Sequence, residues 1–65
     1  MCYPVYVHDL PARLQRDIAY DLLAQGFDLV HVESAMSSKV EDMSYALTRP
    51  VRKRVKMFLE GKWNA

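Results

Sequence analysis

In this chain of 65 residues, two segments begin with a proline and end with a glycine. Proline suits the first turn of a helix, and glycine often ends a helix in the left-handed conformation. One segment runs from Pro11 to Gly26, and another runs from Pro50 to Gly61. These segments predict two helices, over about 10–25 and 49–60.

Apolar side chains repeat at helical spacing within both segments. In the first segment they cover one broad arc, and in the second they form a single stripe. Asp9 and Thr48 stand where N-cap residues are expected. The predicted apolar positions are Ala12, Leu14, Ile18, Ala19, Leu22 and Leu23 in the first helix, and Val51, Val55, Phe58 and Leu59 in the last.

The segment 29–47 between them allows two interpretations. Six apolar residues spaced three or four apart share about 80° of a helix surface, and Asp28 precedes them as an N-cap. Residues 29–32 also alternate like a short strand that would pair with 5–8. The longer pattern favours one helix over 29–47, weakened at Ser37-Ser38, and a break there would favour the strand. The six apolar residues are Leu29, Val32, Met36, Val40, Met43 and Leu47.

Residues 3–8 alternate in the manner of a β-strand. β-Branched and aromatic side chains favour that structure, and Pro4 restricts it to an edge because proline has no N–H to donate. With 29–47 as a helix, the strand has no partner later in the chain. The predicted fold class is mainly α: a short N-terminal strand followed by three helices, in a single domain over 1–65.

The size of the chain limits its stability and favours self-association. A domain this small buries only about 60% of the surface that its unfolded form exposes. Cys2 is the single cysteine, so a disulfide within the chain cannot compensate. A lone thiol favours a reducing compartment, and the sequence has neither a signal-peptide pattern nor an apolar run of membrane-spanning length. We therefore expect a cytoplasmic homodimer.

Residues that carry chemistry are sparse. His8 and His31 lack the spacing of a metal site, and two glycines cannot build a phosphate-binding loop. Neighbouring carboxylates such as Glu41-Asp42 are expected on solvated helix surfaces. We expect a protein that is not an enzyme, with no catalytic residue, no metal ligand and no cofactor.

The charged residues are distributed unevenly. Residues 1–48 carry three basic and seven acidic groups, a net −4, whereas 49–65 carry six basic groups against Glu60, a net +5. Such a division is typical of an interaction surface. The predicted binding residues for a partner or for nucleic acid are Arg49, Arg52, Lys53, Arg54, Lys56 and Lys62.

Residues 3–47 resemble the ribbon-helix-helix family of the Arc/MetJ type. The resemblance rests on a lone strand, then Leu10-Pro11, a helix, the turn Gly26-Phe27-Asp28 and a second capped helix. It implies an intertwined homodimer in which two copies of the strand pair antiparallel. It also implies DNA reading from the strand, at positions that here hold Val5, Val7 and Asp9 and suit DNA poorly. The dimer strand would use Tyr3, Val5, Tyr6 and Val7.

The basic helix is compatible with three functions. The first is a small non-enzymatic protein-interaction module, a dimeric regulator or inhibitor of the kind that phages and mobile elements encode, which binds through its strand edge or basic helix. The alternative is a ribbon-helix-helix-like transcriptional regulator that binds nucleic acid through residues 49–62. An amphipathic helix on an anionic membrane is the least favoured, because the core needs its apolar stripe.

Overall fold

The chain folds mainly as α-helix, as predicted. The structure, a computed structural model, describes residues 5–63, of which 71% are helical, and this part contains no β-strand. Two short 3-10 turns accompany the α-helices. The elements in chain order are a 3-10 turn at Val7–Asp9, α1 (Ala12–Ala24), α2 (Leu29–Met36), α3 (Val40–Met43), a 3-10 turn at Ser44–Ala46, and α4 (Arg49–Leu59).

Helices α1 and α4 occupy the two segments that run from proline to glycine. Gly26 and Gly61 follow them with φ angles of 101° and 76°, in the left-handed region where glycine is favoured. Asp9 does not cap α1, however. Pro11 holds the cap position, and the Asp9 carboxylate instead accepts the Tyr6 N–H at 3.4 Å within the first 3-10 turn.

The prediction of one helix over 29–47 is wrong, because the chain leaves the helix after Met36. The Ser38 hydroxyl donates to the Ser34 carbonyl at 2.8 Å, a bond that competes with regular helix structure. The predicted weak point is therefore where the helix breaks. Its expected consequence does not follow, since 29–32 remain helical as the start of α2.

The predicted strand over 3–8 is also wrong for the residues that the structure describes. Val7 begins the first 3-10 turn, and a single antiparallel bridge joins Tyr6 to Lys39. The Val7 N–H donates to the Ser38 carbonyl at 3.0 Å, and the Val40 N–H donates to the Val5 carbonyl at 2.8 Å. This short pairing gives the N-terminal segment a partner within its own chain.

One apolar core lies between the helices and the first 3-10 turn. Leu14, Ile18 and Leu22 line the inner face of α1, as their spacing predicts. Leu29 begins the predicted stripe but is 68% exposed, whereas Val32, three residues later in α2, is buried. The buried residues are Val7, Leu10, Leu14, Ile18, Leu22, Val32, Val40, Met43, Leu47, Val51 and Val55.

A carboxylate on α1 fixes the start of α4. Asp21 accepts the Thr48 N–H at 2.9 Å and the Thr48 hydroxyl at 2.8 Å, through its two different oxygens. Thr48 holds the N-cap position of α4, but its hydroxyl makes no capping bond to α4 itself. The N-terminus of α4, with its positive dipole end, thus meets a carboxylate from another helix.

We expect Thr48→Val to lower the free energy of unfolding by about 1 kcal/mol, because it removes the hydroxyl that donates to Asp21 and keeps the side-chain shape. Thr48→Ser retains a hydroxyl and serves as the matched control. Urea denaturation followed by circular dichroism measures both variants. Equal stability of Thr48→Val and the wild type would show that this bond does not hold α4.

Candidate nucleic-acid or protein interface

Three of the six predicted binding residues form one exposed surface on α4. Arg49, Lys53 and Lys56 follow the i, i+4, i+7 spacing that places side chains on the same side of a helix. All three are exposed, and no ion pair with another residue of 5–63 engages them. We call these three residues the basic face.

The other three predicted residues make contacts within the chain. The Arg54 guanidinium lies 3.2 Å from the Asp17 carboxylate on α1. Arg52 donates to the Leu47 carbonyl at 2.9 Å, where the second 3-10 turn ends. Lys62 lies 3.7 Å from Glu60. These side chains help to position α4 and the turn after it, so they are less available to a partner.

Two arginines that the sequence did not single out lie close to α4. Arg13 and Arg16 are exposed on α1 and line one groove together with Arg54. Their i, i+3 spacing was the available signal that they share a side of α1. Arg54 lies across the groove from them because α1 packs against α4, and the sequence pattern did not predict that packing.

The acidic residues of α1 are largely occupied by contacts with α4. Asp17 pairs with Arg54, and Asp21 holds Thr48. By contrast, Glu33, Glu41 and Asp42 are exposed on α2 and α3. Helix α4 carries five basic residues and no acidic one between Arg49 and Leu59. The positive charge of the basic face is therefore not neutralised on its own helix.

The apolar side of α4 packs into the core. Val51 and Val55 are buried, and Phe58 meets Trp63 edge to face with ring centroids 6.1 Å apart. To lie on a membrane surface, α4 would have to withdraw these side chains from the core. Among residues 5–63, no helix combines the length and the apolar character that a membrane crossing requires.

Both histidines are exposed, and the ring of each lies near an aspartate that is close in sequence. His8 is 3.7 Å from Asp9, and the His31 ring is 2.8 Å from the Asp28 carboxylate. Asp28 also accepts the His31 N–H at 2.9 Å, as the N-cap of α2. That backbone bond, followed by the bond from the His31 ring, lowers the pKa of Asp28. In the part of the chain that the structure covers, no three His, Cys, Asp or Glu residues group as metal ligands.

The lowered pKa of Asp28 predicts a dependence of stability on pH. A carboxyl group with a lower pKa in the folded chain stabilises the fold above its unfolded pKa, near 3.8, and this contribution is lost as pH falls through the folded pKa. Asp28→Asn keeps a capping oxygen without the charge. We expect the melting temperature of the wild type to exceed that of Asp28→Asn at neutral pH, and the gap to close in acid. A gap that does not change with pH would contradict this role.

The predicted dimer strand is not available as a free strand in the described residues. Val7 is fully buried in the core of its own chain, and the Val5 carbonyl is already bonded to Val40. Tyr6 is partly exposed and bridges to Lys39. Tyr3 lies outside the described residues. An interface between two copies is therefore better sought on other surfaces.

Comparison with known proteins adds no family assignment: no family model, no curated protein and no solved structure matches the chain. The resemblance to ribbon-helix-helix proteins stays a prediction. Residues 5–8 do not form the strand on which the ribbon of that family depends.

Proposed function

We propose that this chain is a small non-enzymatic interaction module, a dimeric regulator or inhibitor, that binds an acidic partner protein through the basic face. The observation that carries the proposal is the exposure of Arg49, Lys53 and Lys56 on a helix whose opposite side is fixed in the core. A rigid helix presents these charges in a set geometry, which reduces the entropy lost on binding. Charge complementarity then supplies specificity and a fast association rate.

A protein partner is favoured over DNA because few cations are available. A protein that contacts DNA through about six to ten phosphates draws much of its affinity from released counterions. The basic face offers three cations, and the whole chain has a net charge of +1. Such a surface attracts DNA weakly at physiological salt, whereas three well-placed cations suffice to match an acidic patch on a protein.

A capture experiment tests the proposal. Tagged chain is incubated with nuclease-treated extract of the organism that encodes it, and retained proteins are identified at low and at high salt. We expect a discrete protein that is released as the salt concentration rises, because salt screens exposed ion pairs. Retention of no protein from treated extract, together with retention of nucleic acid from untreated extract, would overturn the proposal.

Nucleic-acid binding through the same face is the second candidate function. It is favoured by Arg13 and Arg16, which line a groove with Arg54 and add basic groups apart from the basic face. Titration of a fluorescent random duplex at about 50 mM and 200 mM salt decides it, because phosphate contacts make the affinity fall steeply with salt. Absence of binding at the lower concentration would exclude this function.

A second copy of the chain is the partner that we propose for the apolar corner between α1 and α2. Phe27, Leu29 and Val30 are 38%, 68% and 74% exposed there, close together in sequence. Association of two copies would bury them and add stability that so small a core lacks. Sedimentation velocity is expected to show a dimer that Val30→Glu dissociates. A wild-type monomer throughout the micromolar range would contradict the homodimer.

A further inference from the structure

A groove between α1 and α4 gathers more positive charge than the sequence predicted. Its volume is about 500 Å³, and its lining consists of Arg13, Arg16, Asp17, Arg54 and Trp63. Three guanidinium groups against one carboxylate give these lining residues a net charge of +2. None of them belongs to the basic face, so the groove is a separate site.

The arginines of the groove differ in how they are engaged. Arg54 donates from Nη1 to the Asp17 carboxylate at 3.2 Å, which shows that an oxyanion can be held against this guanidinium. Among residues 5–63, Arg13 and Arg16 have no carboxylate partner. The first turn of α1 contains no acidic residue that would neutralise them.

Trp63 gives the groove an apolar wall in a fixed place. The turn after α4 returns the chain toward the helix, since the Lys62 N–H donates to the Met57 carbonyl at 2.8 Å and Gly61 takes the required positive φ. The Trp63 ring then packs edge to face on Phe58, with an interplanar angle of 80°. A ligand that enters the groove thus meets guanidinium groups and an indole together.

We propose that this groove binds a phosphate monoester. Such a group carries a charge near −2 at about pH 7.5, which matches the net charge of the lining residues. Guanidinium groups bind phosphate oxygens through paired hydrogen bonds. The groove is larger than a phosphate ion needs, and Trp63 provides a surface for the organic part of the ester. The ester is either a small molecule or a phosphorylated side chain of a partner protein.

Fluorescence titration tests the site directly, because Trp63 is the single tryptophan of the chain. Phenyl phosphate is added at constant ionic strength, at about pH 7.5, where the monoester is a dianion. We expect a saturable change in fluorescence, with affinity lowered about threefold in Arg16→Gln. Asp17→Asn removes the competing carboxylate and is expected to raise the affinity by a similar factor. Lys53→Gln, on the basic face, is the matched control and is expected to change little.

Three outcomes would overturn the site: no saturable change, an affinity that Arg16→Gln leaves unaltered, or equal affinity for phenyl phosphate and for the diester dimethyl phosphate. Arg16 is exposed, so its variant retains the fold even if Asp17→Asn loosens α1 from α4.

A phosphoserine peptide is titrated beside phenyl phosphate to identify the source of the ester. Tighter binding of the peptide assigns a phosphorylated protein, and tighter binding of phenyl phosphate assigns a small ester; both support the site. Because Arg16→Gln and Asp17→Asn leave the basic face intact, failure of this site leaves the proposed function standing.

Discussion

Leu14→Ala is expected to lower the free energy of unfolding by about 3 kcal/mol, the usual cost of deleting a fully buried leucine side chain. Leu14 is 0% exposed at the centre of the inner face of α1. A domain of this size has a net stability of only about 3 to 5 kcal/mol from its core. The variant should therefore lose most of its stability. Urea denaturation followed by helical circular dichroism measures the change.

Leu29→Ala is the matched control for this prediction. The chemical change is the same, but Leu29 is 68% exposed at the start of α2 in the single chain. At a protein concentration low enough to keep the chain monomeric, its truncation should alter stability by less than about 0.5 kcal/mol. The comparison also tests the break between α2 and α3. In one continuous helix over 29–47 Leu29 would belong to the buried stripe, and similar losses in the two variants would contradict the structure.

Local signals in the sequence were sufficient to predict α1 and α4. Each segment has proline at its start, glycine at its end and an apolar stripe between them, and all three features act within a few residues. The helix over 29–47 failed for a reason that lies elsewhere in the chain. Its apolar spacing is sound, but residues 38–40 bond to Val5 and Val7, and this pairing depends on contacts that sequence spacing does not contain.

For the candidate site, too, the sequence predicted local features but not contacts between helices. The basic residues of α4 were evident from composition, and their spacing predicted that Arg52, Lys53 and Lys56 share one side. In the structure the Arg52 side chain instead donates to the Leu47 carbonyl. Sequence could not show that Arg54 is held by Asp17, or that Arg13 and Arg16 lie across a groove from it. Both facts arise from the packing of α1 on α4. Tertiary packing therefore decides which basic side chains are free and which are bonded within the chain.

Reversal of all three charges of the basic face is expected to abolish capture of the partner protein. The triple variant Arg49→Glu, Lys53→Glu, Lys56→Glu places like charges opposite an acidic patch, which costs several kcal/mol at an interface. The three side chains are exposed, so the fold should persist. The test is capture from nuclease-treated extract, with circular dichroism to verify the helical content. Undiminished capture by a folded triple variant would place the interface elsewhere.

The most direct test of the central claim compares two single reversals that change the net charge equally. Lys53 belongs to the basic face, whereas Lys62 lies beyond α4 and 3.7 Å from Glu60. The measurement is the Kd of the captured partner protein for Lys53→Glu and for Lys62→Glu. We predict about a tenfold weakening for Lys53→Glu and little change for Lys62→Glu. Equal weakening by the two variants would mean that overall charge attracts the partner, and would contradict a binding surface formed by Arg49, Lys53 and Lys56.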